Sequence, residues 1–472
     1  MSTAVVVGSG PNGLAAAIRL ARQGVRVRVL EAHESVGGGL RSGERTLPGL
    51  VHDDCSAFHP AGVASPFLRA LDLERHGLRW LWPEVEVAHP LDSGAAGVLW
   101  RDVDRTAGAM PPSDGRAWRR TFEPLVRRFD RLVEDVFRPA LRVPSHPLAL
   151  AAFGLRALAP ATWTARRWCG EEARGLFGGV AAHTFGPLEA PLAGAVGLLL
   201  TAAGHTYGWP VAEGGSGAIA RAMTALLAEL GGVVETGVEV DDLGLLAGAD
   251  LVLLDTMPGE AARILGRRLP PARRQAYRRY RHGPAAFKVD FAVEGGIPWR
   301  NEHCRAAGTV HLGGTFEEVA AAEQAVARGR LPERPFVLLG QQYLADPSRS
   351  AGDTHPVYAY AHVPNGFRGD ATEAVVGQIE RFAPGFRERI VARHVRSTAQ
   401  LPGYNRNFVG GDIVGGSNAG LRLVARPRLA LDPYATGVPG VYLCSAATPP
   451  GAGVHGMCGF NAAESALRYL ER

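Results

Sequence analysis

Gly8-Ser9-Gly10-Pro11-Asn12-Gly13 lies between a short apolar run, Ala4 to Val7, and a stretch from Pro11 to Gln23 in which Leu14, Ala17, Ile18 and Ala21 recur at helical spacing. Pro11 falls where a first helical turn tolerates proline, and Gly24 stops the helix. Val25, Val27, Val29 and Leu30 then form a second strand ending at Glu31, 18 residues past Gly13. Strand, glycine turn, helix and strand within about 30 residues predict a βαβ unit, which commits the chain to a parallel sheet and an α/β fold. In that setting Gly8 permits the tight turn. Gly10 removes the side chain that would hold a diphosphate off the backbone, and Gly13 lets the helix close on the sheet. Unpaired amides around Pro11 and Asn12, together with the helix dipole, favour phosphate charge. Glu31, with Ala32 beside it, is placed to accept hydrogen bonds from an adenosine ribose and to repel a 2′-phosphate.

Beyond residue 65 the pattern changes. Thr121 to Phe137 reads as one amphipathic helix, followed by further Ala- and Leu-rich helical runs, and no βαβ pattern is visible as far as Ala203. This predicts a helical insertion. Sheet-like texture returns after Gly214, with a helix over Ile219 to Leu230 and strands over Val233 to Val240 and Asp250 to Leu254. A second insertion carries strand candidates at Phe287 to Val293 and Phe336 to Leu339. The chain closes with a strand, Val441 to Cys444, a glycine-rich loop and a helix, Asn461 to Leu470. The expected organisation is a Rossmann-like domain assembled from residues 1–65, 205–264 and 425–472, with 66–204 and 265–424 forming an inserted α+β substrate domain.

A second glycine cluster, Gly37-Gly38-Gly39 followed by Leu40 and Arg41, comes a few residues after Glu31. It resembles the extended signature of the large FAD family that includes phytoene desaturases and amine oxidases. Gly38, Gly39 and Leu40 would run close to the cofactor, and Arg41 would counter diphosphate charge. The segment Pro439 to Met457, with Ser445-Ala446 and Gly451-Ala452-Gly453-Val454-His455-Gly456, resembles the closing motif of phytoene desaturases and their relatives. The likeness is nearest to the branch that includes the pyridine nucleotide-disulfide oxidoreductase domain-containing 2 proteins, as are Asn407 to Gly411, Ala425-Arg426-Pro427 and Gly214-Gly215-Ser216. The resemblance implies FAD. It places Val238 beside the adenine, Ser445 and Ala446 near the diphosphate and ribityl chain, and the amides of Gly456 and Met457 at the flavin's pyrimidine edge. Cys-Ser-Ala-Ala at 444–447 and the short stretch from Gly237 to Asp250 depart from many relatives and weaken any transfer of substrate identity.

The expected activity is an FAD-dependent dehydrogenase or desaturase that takes hydride from a hydrophobic substrate and passes electrons to oxygen, a quinone or another acceptor. A flavin amine oxidase, a flavin-dependent isomerase and a non-catalytic FAD-binding regulator stand as alternatives. No second G-x-G-x-x-G follows a strand, and no Cys-x-x-Cys exists among the five cysteines. A disulfide-reductase cycle and a zinc site are therefore disfavoured. Lys288 is the single lysine among 51 basic residues. On Phe287 to Val293 it shares a strand face with Asp290, either as a surface pair or as a tunable ammonium near the flavin. His455, and His59 in Cys55 to Gly62, are candidate cavity imidazoles, and Lys288 and His455 are the candidate catalytic residues. Cys458 reads as a buried thiol rather than a covalent flavin link. A hydrophobic content of 46% marks a globular chain. The net charge of +5 is almost wholly arginine and shows no basic stripe interleaved with aromatics, so nucleic acid is not an expected partner. The longest apolar stretch, Leu192 to Ala203, is too short to span a bilayer, and the chain opens almost directly in a strand. A cytoplasmic protein is expected, with contact at a membrane surface left open.

Overall fold

The computed structural model describes residues 2–471. Strand Thr3–Val7 is buried from Ala4 onward. It pairs in parallel with Arg26–Leu30 on one side and Leu251–Leu254 on the other, with Val5 opposite Arg28 and Val252. Val441–Leu443 and Val233–Glu235 complete a five-stranded, all-parallel sheet in the order 441–443, 251–254, 3–7, 26–30, 233–235. Its strands come from three widely separated parts of the chain. Because all run the same way, Val7, Leu30, Leu254 and Leu443 end at one edge of the sheet. The residues that follow them are delivered there together, which is where open α/β sheets place ligands.

Helix Pro11–Ala21 buries nearly every residue, because the sheet lies on one side and helices Gly217–Glu229 and Met457–Leu470 on the other. Small side chains make this possible. A Cβ on Gly459 would stand 1.8 Å from the Asn12 carbonyl oxygen, so only glycine lets the final helix approach the first.

A seven-stranded sheet forms the second layer, in the order Ile390–Arg396, Ala285–Glu294, Thr354–Val363, Val337–Gly340, Ala307–Leu312, Val85–Pro90, Ala96–Leu99. All its pairings are antiparallel except that of Ala307–Leu312 with Val85–Pro90. Alternation sorts its faces. Phe287, Val289, Phe291 and Val293 pack with Val357, Ala359 and helix Thr372–Phe382 in one core cluster, while Leu338, Tyr358 and Tyr360 face the first domain.

Three expectations need correction. The first insertion is not purely helical: Val85–Pro90 and Ala96–Leu99 leave it to join the sheet of the second insertion. Both runs are short and hold Glu86, His89 and Gly97, so neither gives a clear period in the sequence. The single helix read over Thr121 to Phe137 is two, Pro112–Val126 and Phe129–Val136. The break at Arg127–Arg128 redirects the chain so that Phe122 and Phe129 both reach the core. The strand read over Val233 to Val240 stops at Glu235, because Gly237 (φ +70°) turns the chain and Val238 donates its amide to the Glu31 carbonyl at 2.9 Å.

Gly459→Ala is expected to destabilise the protein by about 1–3 kcal/mol, the usual cost of forcing a methyl into a packed interface. The change should read as a lowered thermal unfolding midpoint. An unchanged midpoint would mean the two helices separate freely.

Candidate dinucleotide and substrate cavity

The residues delivered to the sheet edge are Gly8, Glu31, Asp255 and Ser445, each one or two positions past a strand. All four line a cavity of about 900 Å³. Gly10, Asn12, Ala32, Gly38, Gly39, Leu40, Arg41, Val238, Ala446 and His455 line it as well. The glycine turn is built as its spacing requires. Gly8 has φ +100°, a conformation that side chains resist, and a Cβ on Gly13 would meet the Gly8 carbonyl oxygen at 2.1 Å. Gly38, at φ +55°, brings the second glycine cluster against the first, since its Cβ would stand 3.1 Å from the Cα of Gly10.

Several features suit an anionic dinucleotide. The amides of Gly10 and Asn12 make no hydrogen bond within the protein, and both precede or open the helix whose dipole points at the cavity. Asn12 Oδ1 is buried without a partner. Unpaired polar groups of this kind are costly unless a ligand engages them.

Glu31 does more than was expected of it. Its Oε2 accepts from the Ser9 amide (2.9 Å) and hydroxyl (2.6 Å), and its Oε1 from the His33 amide (2.9 Å) and Arg41 (3.1 Å). A carboxylate has about four acceptor positions, so all are filled within the protein. A ribose hydroxyl reaches Glu31 only by displacing a donor. Arg41, expected to counter the diphosphate, is instead held by Glu31 and the Ser35 carbonyl, with the Tyr404 ring 5.4 Å from its guanidinium carbon. Val238 likewise spends its amide on Glu31, leaving its carbonyl for a ligand.

Gly456 and Met457 are not on the cavity wall. Gly456 (φ +68°) is wedged beside Ala15 and Phe67, and the Met457 amide donates to Nδ1 of His455 at 3.0 Å. Cys458 donates its thiol to the carbonyls of Thr448 and Gly451, is pushed up to about 12 by burial, and lies off the wall, so it offers no thiolate for a covalent link.

Lys288 is neither at the surface nor on the main wall. It and Asp290 are both buried and form an ion pair, with the ammonium 4.5 Å from the centre of the Tyr358 ring. Burial opposes ionisation of Asp290, yet Lys288, His394 and His52 hold its carboxyl well below the ordinary range. Tyr358 and Tyr360 stand between this pair and the cavity. Lys and Asp alternating with apolar residues give the strand the pattern of a half-exposed one; the apolar face packs in the second domain's core, and the His52–Cys55 segment of the first domain covers the other.

Two imidazoles do reach the cavity. Burial lowers His59 and His455 to about 4, so both are neutral near pH 7. His59 Nε2 lies 2.9 Å from the Ser216 hydroxyl, which donates to the Ser56 carbonyl at 2.7 Å; Nε2 must therefore carry the proton, leaving the Nδ1 lone pair unpartnered. Ser216 is itself fixed through its amide to Asp53 (2.7 Å), and Asp53 is held by the fully buried Arg349 at 2.5 Å. Gly214-Gly215-Ser216 thus belongs to the support of His59. Among the described residues no cluster of His, Cys, Asp or Glu is placed to hold a metal ion, and no helix is long and apolar enough to cross a membrane.

Asp255 escaped the sequence reading. Its Oδ2 accepts from the Gly13 amide at 2.9 Å and would touch any Cβ on Gly10, at 2.7 Å. Burial and the nearby Glu31 charge raise its carboxyl to about 7, against a helping hydrogen bond from Gly13. Its position directly after a strand that pairs with the first was the available signal.

Lys288→Met leaves a buried carboxylate without its ammonium and is expected to cost about 3–5 kcal/mol of stability, read by urea unfolding. A stable variant that loses only activity would restore Lys288 to the site. Below pH 7 Asp255 is protonated and neutral; above it, a carboxylate faces the diphosphate loop. Affinity for added FAD, followed by flavin fluorescence, should therefore weaken as pH rises through about 7, by up to about tenfold per pH unit for one coupled proton. Asp255→Asn should abolish that dependence, and matching pH profiles would remove Asp255 from the site's electrostatics.

An NAD(P)-binding Rossmann-like domain model matches residues 6–71. Over 99% of its length the chain is 25% identical to pyridine nucleotide-disulfide oxidoreductase domain-containing protein 2 of Mus musculus, covering 94% of that protein. Over 177 residues it is 33% identical to hydroxyneurosporene desaturase of Cereibacter sphaeroides, spanning 34% of this chain and 32% of that one. Putrescine oxidase bound to putrescine superposes with a TM-score of 0.62 at 18% identity, covering 100% of this chain and 99% of its own. Cyclohexylamine oxidase from Brevibacterium oxydans does so at 0.58 and 17%, with both chains covered completely. These two share the fold. The chain is thus similar over nearly its whole length to pyridine nucleotide-disulfide oxidoreductase domain-containing protein 2, and over about a third of it to a desaturase.

Proposed function

We propose that the chain binds FAD and acts as a dehydrogenase or desaturase on a hydrophobic substrate. One observation carries this reading: a single cavity joins the diphosphate loop at Gly8–Asn12 to a chamber walled by Leu150, Phe153, Leu192, Val196, Leu199 and Leu200. Such a space suits a dinucleotide at one end and an apolar molecule at the other.

Bound there, FAD supplies a two-electron acceptor for hydride leaving a substrate carbon, and oxygen, a quinone or another acceptor then takes the electrons away. The chain's own residues do the remainder. The amides of Gly10 and Asn12 hold the diphosphate, and the leucine-lined chamber excludes water from the reacting carbon. Dehydrogenation also releases a proton. His59, fixed in direction by Ser216, is the lining imidazole whose Nδ1 lone pair is unpartnered, while His455 spends its Nδ1 on the final helix; because Nδ1 of His59 is buried, a proton would reach it once substrate or water enters beside the ring. A weakly basic imidazole gives such a proton up readily, which suits a relay more than a store.

The amine-oxidase reading finds less support in the chamber. Asp135, a carboxylate on its wall, is already engaged by Arg142 and by the amides of Ser145 and His146, so it is poorly placed to welcome an ammonium.

Anaerobic mixing of the FAD-loaded protein with a panel of polyenes, isoprenoids and acyl compounds is expected to bleach the flavin and yield a product lighter by two hydrogens. Unchanged product mass would indicate isomerisation. Bleaching by amines alone would favour the oxidase, and a flavin that no substrate or reductant bleaches would indicate a binding protein without turnover.

A further inference from the structure

One corner of the cavity breaks the apolar pattern of its chamber. His59, His183, Trp209 and Thr309 all line the cavity there. The fold brings them together from separate elements. Thr309 and His311 lie two positions apart on one face of strand Ala307–Leu312. The half-buried His183 packs against His311, with their Nε2 atoms 3.0 Å apart. The Trp209 ring centre lies 5.3 Å from that of His183 and 6.0 Å from that of His311. His59 is tied to the same place, because its amide donates at 2.9 Å to the carbonyl of Pro210, the neighbour of Trp209.

Three of these residues hold a polar atom that the described residues leave unmatched. The Thr309 hydroxyl is fully buried with no hydrogen-bond partner. His183 makes its one such contact through Nε2, and its Nδ1 has none. Nδ1 of His59 is a lone pair without a donor. Buried polar groups are ordinarily satisfied, so three in one corner of a cavity mark a place where a bound molecule supplies the partners. The corner is also uncharged. Burial lowers His59 to about 4 and His183 to about 3. The charged groups that act on them are already paired behind the wall, Asp53 with Arg349 and His362 with Glu323 at 2.7 Å. A carboxylate or phosphate finds no free cation here, and an ammonium finds no free anion.

We propose that this corner binds the hydroxyl group of an apolar alcohol, whose hydrocarbon body lies along the leucine-lined chamber. The chemistry of the corner selects a hydroxyl over other neutral oxygens. Because Nε2 of His59 carries that ring's proton, its Nδ1 only accepts, and the ligand must donate to it. The Thr309 hydroxyl donates as well as accepts, so it serves the ligand's oxygen. A hydroxyl offers both functions in one group, whereas an ether, ester or ketone only accepts. A few placed polar groups in an apolar pocket fix a ligand's orientation in this way. The assignment names the substrate class of the site proposed above and rests on that reading of the chamber; recognition of the hydroxyl itself needs no redox chemistry.

The test is calorimetric titration of the purified full chain, with FAD added, against decanol and its isomer methyl nonyl ether, which has no hydroxyl proton. Decanol is expected to bind about tenfold or more tighter, because a site built to pair with a hydroxyl is left bare by the ether. Thr309→Val and His183→Phe should each bring the two affinities together by weakening decanol alone. The thermal midpoint of Thr309→Val should hold or rise, since the change removes an unpaired buried hydroxyl and keeps the side chain's shape. The proposal is overturned if the wild-type protein binds the isomers equally, which would leave the corner to water, or if either variant keeps the preference. It is also overturned if decanoate or decylamine binds more tightly than decanol. Binding heat requires no turnover. A flavin that never bleaches beside a clear decanol preference would count against the redox reading alone, and bleaching without the preference would count against the hydroxyl site alone.

Discussion

The Glu31 carboxylate is the knot on which the nucleotide end of this molecule depends. With four donors from Ser9, His33 and Arg41 it ties the first glycine turn to the end of the second strand and to the second glycine cluster. A glycine-rich loop is entropically expensive to order, because glycine loses more freedom on folding than any other residue. A buried carboxylate with every acceptor position used offsets that cost and holds the loop's amides in one arrangement. The price is that Glu31 comes to a ligand already occupied. Asp255 plays the complementary part below the loop, taking the Gly13 amide and thereby leaving those of Gly10 and Asn12 outward.

Around this fixed end, the rest of the cavity is assembled from segments that know nothing of one another in sequence. The seven-stranded sheet supplies a roof through Tyr358, Tyr360, Leu338 and Thr309. That roof is braced from behind by the Lys288–Asp290 pair, whose ammonium lies against the Tyr358 ring while the Tyr358 hydroxyl donates to the Cys55 carbonyl. On the opposite side, Arg349, Asp53 and Ser216 form a buried chain that ends on His59. Two charged networks thus do structural work one layer back from the wall, and the chamber side of the wall is mostly apolar, with two neutral imidazoles and the Asp135–Arg142 pair. A mostly apolar chamber of this kind suits a lipophilic guest, and its thin outer wall is a helix whose far side is equally apolar.

Much of the nucleotide end was legible in the sequence. Gly8, Gly10, Gly13 and Glu31 lie within a single βαβ unit, so their geometry follows from local spacing and from the handedness and closeness that such units impose. The Gly37–Gly39 cluster and the Ser445–His455 segment were likewise visible, since glycines and strand ends announce themselves. Other residues were not. Asp255 looks like any acid after a strand until the sheet order puts that strand next to the first. Lys288 and Asp290 have the alternation of a solvated face and are buried by a domain drawn from elsewhere in the chain. Met457 sits in a family-like loop, yet its amide turns to His455 because the last helix packs on Gly459 against Asn12.

The sequence by itself determined that a parallel sheet would form and that bare amides would gather at the first turn, because both arise from neighbours along the chain. Only the tertiary structure decided which strands of the two insertions share a sheet, which carboxyl lies under the diphosphate loop and which imidazole keeps a free lone pair. Those outcomes depend on contacts between residues hundreds of positions apart, and on the burial that sets their charge, neither of which a linear pattern encodes.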